Sequence, residues 1–83
     1  MDEQAQVDIQ KAFGSRLREL RRWRGLTQEV LAAESDIDRS YIGQVERGER
    51  NIALINIHKI AKGLGVEPYE LLLPEDHKNE TEE

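Results

Sequence analysis

Residues 27–47, TQEVLAAESDIDRSYIGQVER, limit what this chain can fold into more than any other stretch. Thr27 is a good N-cap, and Gln28, Glu29, Val30 and Leu31 fill the first turn of a helix behind it. Leu31 and Ala32 give that helix an apolar face, and Ala32 is small enough for a second helix to cross close by. Glu34, Ser35 and Asp36 break the pattern, and Ile37 is a lone apolar residue suited to plugging the turn. Asp38 is placed to cap a second helix whose inward positions are Ile42 and Val45, three residues apart on one face. Its outward positions are then Arg39, Ser40, Gln44 and Arg47. A short helix that hides Ile and Val while presenting Arg, Ser and Gln carries the side chains that reach base edges and phosphates.

A net charge of −5 at pH 7 runs against that reading until the charge is located. Residues 1–8 carry −3 and residues 75–83 carry −4, whereas residues 9–74 hold eleven Lys and Arg against nine Asp and Glu. The acidity sits in the ends. Arg16, Arg18, Arg21, Arg22 and Arg24 crowd one helix, and Arg39, Arg47 and Arg50 follow the turn. Such clustering, rather than overall pI, is the footprint of a nucleic-acid surface. The sequence has no cysteine, which excludes disulfides and thiolate metal sites. His58 and His77 are isolated, so no metal and no cofactor is assigned. No apolar run approaches the roughly eighteen residues of a membrane span, and the polar N-terminus is no signal peptide; a cytoplasmic location is expected. Enzyme readings fail on inventory, with no Gly-rich phosphate loop and no nucleophile beside a placed base.

The rest of the chain reads as helix punctuated by glycine and proline. Residues 1–8 read as a flexible segment. Ile9, Phe13, Leu17 and Leu20 recur at helical spacing, and Gly25 ends that helix near Arg24. Trp23, late in it, reads as packing. Gly48 stops the helix after the turn. A fourth helix is expected over 52–64, with Leu54, Ile57, Ile60, Ala61 and Leu64 inward and Gly65 at its end. A short fifth one runs from Pro68 to Leu73, closed by Pro74. No strand pattern or internal repeat is present. The expectation is an all-α, compact five-helix domain over 9–74, followed by a charged, disordered tail at 75–83.

The segment FGSRLRELRRWRGLTQEVLAAESDIDRSYIGQVERGERNIALINIHKIAKGLGVEPYELL, residues 13–72, resembles the Cro/C1-type, XRE-like helix-turn-helix family. The likeness rests on the opening FG-x-RLRELR, the TQE-x-LA start of helix two and DRSYIG-x-VERGERN through helix three. It is most similar to the controller proteins of restriction–modification systems, and implies a lambda-repressor-like fold. One departure is Asp36, where the family often has glycine because the chain turns left-handed; Asp tolerates that region better than most residues.

The resemblance implies roles for named residues. Arg39, Ser40 and Gln44 would read bases, although Arg39 has the alternatives of pairing with Asp36 or Glu46, or binding phosphate. Gln28, Tyr41, Arg47, Arg50 and Asn51 would hold phosphates, with packing against the turn as the alternative for Tyr41, an ordinary first-turn place for Gln28 and a solvated loop for Arg47, Arg50 and Asn51. Arg21 and Glu46 would form a structural salt bridge, and Arg18, Arg22 and Arg24 read as solvated charges with DNA contact as the alternative. Tyr69, Leu71, Leu72 and Leu73 would form a two-fold dimer interface, unless Leu71 and Leu72 simply cap the monomer core. The implied function is a homodimeric transcription regulator on a near-palindromic operator, with Glu34 and Asp36 as candidate contacts for RNA polymerase. The competing reading is an antitoxin-like or adaptor module that uses the same fold to bind protein.

Overall fold

A computed structural model describes residues 1–76 as four α-helices and a closing 3-10 turn. The helices are α1 (Glu3–Trp23), α2 (Gln28–Ser35), α3 (Arg39–Glu46) and α4 (Leu54–Leu64), with the 3-10 turn at Pro68–Leu72. The described residues contain no strand, and no helix among them is long and apolar enough to cross a membrane. The all-helical expectation holds; the fifth element is a 3-10 turn, shorter by one residue than the expected helix. His77 and most of the acidic tail lie outside the described residues.

The first helix begins earlier than its apolar spacing suggests. Asp2 caps it by accepting a hydrogen bond from the Ala5 amide at 2.8 Å, and Glu3 sits in the first turn where the helix dipole favours an acid. Residues 3–8, read as flexible, are therefore helical. Ile9 is exposed because this part of α1 overhangs the core, which starts at Phe13. The core itself is built on Leu17, Leu31, Ile42, Ile60, Leu64 and Leu71, all fully buried.

Three helices end in the same device. An amide just beyond the helix reaches back five residues: Leu26 to Arg21, Ile37 to Ala32, and Val66 to Ala61, each at 3.0 Å. The preceding residue is left-handed in every case, and the apolar residue that follows packs partly against the core. At the middle one Asp36 takes φ 56° and ψ 47°, so the turn keeps its geometry without glycine, and Ile37 plugs it as expected.

Further sequence expectations change. Asp38 stands at the N-cap of α3 but makes no side-chain capping bond. Helix α4 starts at Leu54 rather than Ile52, and Leu54, expected inside, is 68% exposed because it lies in the first turn, beyond the stripe formed by Ile60, Ala61 and Leu64. Trp23 is 74% exposed on the last turn of α1 rather than packed. Leu71 is wholly buried, whereas Tyr69, Leu72 and Leu73 stay exposed. A 3-10 turn points only about one residue in three at the same face, so a single leucine reaches the core.

Helix α1 crosses α3 at Gly14 with almost no space between backbones. A Cβ there would lie 2.6 Å from the Glu46 carbonyl oxygen and nearer still to that of Val45. Helix propensity alone favours Gly14→Ala, but the clash is backbone on backbone. The substitution is expected to destabilise by about 1–3 kcal/mol in urea unfolding, and a gain in stability would show that the two helices do not cross here.

Candidate nucleic-acid interface

The face of α3 opposite the core is polar. Arg39, Ser40 and Arg47 are exposed, Tyr41 and Gln44 are half-buried, and Ile42, Val45 and Glu46 point inward. Glu46 is the unusual member, a carboxylate with no solvent-exposed side-chain surface. Arg21 of α1 donates to it through Nε at 2.6 Å and Nη2 at 2.9 Å. Gln28 of α2 donates its Nε2 at 3.0 Å, and Arg18 Nε lies 3.4 Å away. Arg21 also donates to the Leu26 carbonyl. One carboxylate thus joins α1, α2 and α3, and fixes the tilt of the polar face.

Burial alone pushes the Glu46 carboxyl up. The hydrogen bonds from Arg21 and Gln28, the Arg21 charge and the Arg18 bond outweigh it, and the group sits below the ordinary value of 4.5. The hydrogen bond to Glu46 raises the Arg21 guanidinium in turn.

The outward cations are all engaged within the chain. Arg39 Nε lies 3.3 Å from Glu29, not from Asp36 or Glu46, and both partners are exposed. Arg47 makes a two-pronged pair with Glu49 at 2.9 and 3.2 Å. Each raises or lowers its partner in the expected sense, Arg47 upward and Glu49 downward through their hydrogen bond. Arg50 donates to Gln44 Oε1 at 2.8 Å and stands 5.3 Å over the Tyr41 ring, while Asn56 donates to the Tyr41 hydroxyl. Asn51 is exposed on the loop after α3. Exposed pairs of this kind contribute about 0–1 kcal/mol and exchange readily for phosphate or base. Gln28, expected at a phosphate, spends its amide on Glu46 and lies over Gly43 beside Arg47.

The basic cluster of α1 is less solvated than its composition suggests. Arg18 reaches Glu46, and Arg24 donates to the Leu64 carbonyl, so neither is merely a solvated charge. Arg16 is buried, bonded to the Glu70 carbonyl at 2.8 Å and to Glu19 at 2.9 Å, and so secures the 3-10 turn. The inward spacing of Arg16 with Phe13 and Leu20 was the available sign. Only Arg22 of this group has neither role. Glu34 and Asp36 are exposed at the end of α2. No group of three or more His, Cys, Asp or Glu among the described residues is placed to hold a metal ion.

A helix-turn-helix family model matches residues 17–71. The chain belongs to the helix-turn-helix family. Control protein C.BamHI of Bacillus amyloliquefaciens is 47% identical over 66 residues, spanning 78% of this chain and 82% of that one. Control protein C.MunI of a Mycoplasma species is 45% identical over 65 residues, 77% and 88% of the two chains. Among solved structures, the restriction–modification controller protein C.AhdI of Aeromonas hydrophila superposes with a TM-score of 0.74 at 58% identity, covering 75% of this chain and 94% of the other. A hypothetical transcription factor of Neisseria gives 0.78 at 41% identity over 98% and 90%. In helix-turn-helix terms α3 is the second helix of the motif and Glu46 its anchor.

Glu46→Gln leaves the buried Arg21 charge without its counter-ion, and the expected loss is about 3–5 kcal/mol in urea unfolding at neutral pH. Because the folded pKa of Glu46 is depressed, its contribution is complete above about pH 4.5 and is lost as pH falls through the lower folded value. The stability gap between parent and variant should therefore narrow in acid below pH 4.5; a gap independent of pH contradicts the assignment.

Proposed function

We propose that this chain is a sequence-specific, duplex-DNA-binding transcription regulator, acting as a homodimer on a near-palindromic operator as the controller of a restriction–modification system. The observation that carries the reading is the outward face of exposed Arg39 and Ser40 and half-buried Gln44 on a helix anchored from beneath by a buried carboxylate. The control proteins among its relatives support the narrower assignment. No catalytic step is assigned, and the site of action is the cytoplasm, where such an operator would be.

In this mechanism Arg39 leaves Glu29 and donates two hydrogen bonds to guanine O6 and N7. Gln44 exchanges Arg50 for adenine N6 and N7, and Ser40 meets a neighbouring base edge. Gln28, Tyr41, Arg47, Arg50 and Asn51 hold phosphates and set the register. Two copies of α3 enter successive major grooves about 34 Å apart. Tyr69, Leu72 and Leu73 supply the dimer contact, without Leu71, whose side chain is used by the core. Exposed Leu54 and Ile55 at the start of α4 add apolar surface available for the same purpose. Glu34 and Asp36 are the proposed surface for polymerase.

Binding selection from a randomised duplex pool tests the reading directly. An enriched two-fold motif is expected with the parent chain and not with Arg39→Ala/Gln44→Ala; absence of enrichment at moderate salt favours a protein-binding adaptor. The dimer assignment has its own test. In sedimentation, Leu72→Asp should shift the chain toward monomer with its melting little changed, whereas Leu71→Ala should cost about 2–5 kcal/mol of stability as a core truncation. Unchanged association of Leu72→Asp sinks the interface.

A further inference from the structure

Helix α1 carries a polar stripe beside the helix-turn-helix. Lys11, Ser15 and Arg18 recur at four- and three-residue steps, so they stand on one face. That face borders α3. With Glu46, Arg47 and Glu49 these residues line one open cleft of about 460 Å³ where α1 meets the end of α3. The two elements are in close contact there, since a Cβ on Gly48 would lie 2.9 Å from the Lys11 Cα.

Positive charge is in surplus in this cleft. Glu46 is matched by Arg21, and Glu49 by Arg47, which leaves Lys11 and Arg18 in excess. Arg18 shares Glu46 with Arg21, lying 3.4 Å from both its carboxylate and its carbonyl oxygen, and keeps 38% of its side-chain surface in solvent. Lys11 is exposed and has no ion-pair partner among the described residues. The cleft also continues a path of polar groups. Gln28 and Arg47 lie side by side over Gly43, and Arg47 in turn lines the cleft with Arg18, Ser15 and Lys11.

We propose that Lys11, Ser15 and Arg18 bind a further stretch of DNA backbone, carrying the grip from the helix-turn-helix onto α1; this rests on the DNA-binding reading above. The ligand is the phosphodiester, met by an ammonium, a hydroxyl and a guanidinium that donate to its free oxygens. Seven residues of helix span about 10 Å, a length that one backbone segment can follow. The contact carries no sequence information, so it adds affinity and salt dependence without altering the base preference.

The test titrates full-length parent, Lys11→Gln and Lys59→Gln against two labelled duplexes across a KCl series. One duplex carries the selected operator and the other an unrelated sequence. Lys59 is exposed on α4 outside the cleft and controls for general loss of charge. Lys11→Gln is expected to weaken both duplexes by the same factor and to lower the slope of log affinity against log salt by about one, with the Lys59→Gln slope unchanged. A Lys11→Gln slope equal to the parent's overturns the proposal while leaving DNA binding intact, as does an equal drop for Lys59→Gln. A parent chain that binds neither duplex removes the DNA-binding reading and this contact with it.

Discussion

A single carboxylate decides how the polar face of this domain is presented. Glu46 sits at the end of α3 with no exposed side-chain surface, held by Arg21 and Arg18 from α1 and by Gln28 from α2. Isolated, such a charge would be far too costly to bury; paired and fully hydrogen-bonded, it becomes a geometric lock. An apolar contact in its place would tolerate sliding and rotation, whereas a two-pronged guanidinium–carboxylate pair has one good orientation. The close crossing at Gly14 works with it, bringing α1 near enough for Arg21 to reach. What faces outward on α3 is thereby fixed from the inside.

The outward arginines show how an acidic protein can present a cationic surface. Arg39 and Arg47 rest on Glu29 and Glu49, and Arg50 rests on Gln44 and Tyr41. These pairings hold long side chains in place at little energetic depth. A partner that offers better geometry than the resting acid displaces it, and one that offers worse geometry does not.

Much of this was legible in the residues. The two-helix window, the inward Ile42 and Val45, and the left-handed tolerance of Asp36 follow from local rules, and the structure agrees with them. The Arg21–Glu46 pair came through family resemblance rather than spacing, since the two residues are far apart in sequence. What was hidden was long-range. Counting arginines in α1 gives no sign that Arg16 and Arg24 donate to carbonyls of the 3-10 turn and of α4. The apolar run at 71–73 cannot by itself say that one leucine is inside and two are outside, because that depends on whether the turn is α or 3-10. The cap at Asp2 is silent in the sequence because the residues after it are polar, and a helix that overhangs its core has no apolar stripe to announce it.

Helix α3 ends differently from the other three. The amide of Glu49 reaches back to Gln44, as at the other ends, but the residue placed there is charged and finds no core to pack on. The loop that carries Arg50 and Asn51 has its apolar peg later, at Ile52, which packs partly against the core. The first part of the loop is braced by the overhang of α1, where Gln10 donates to the Gly48 carbonyl and Met1, Gln6 and Ile9 border Asn51. The N-terminal turns thus act as a splint for a loop nearly forty positions further along the chain. An affinity tag or fluorescent fusion joined at Met1 would sit against that splint, so the choice of which end to label is a choice about the surface under study.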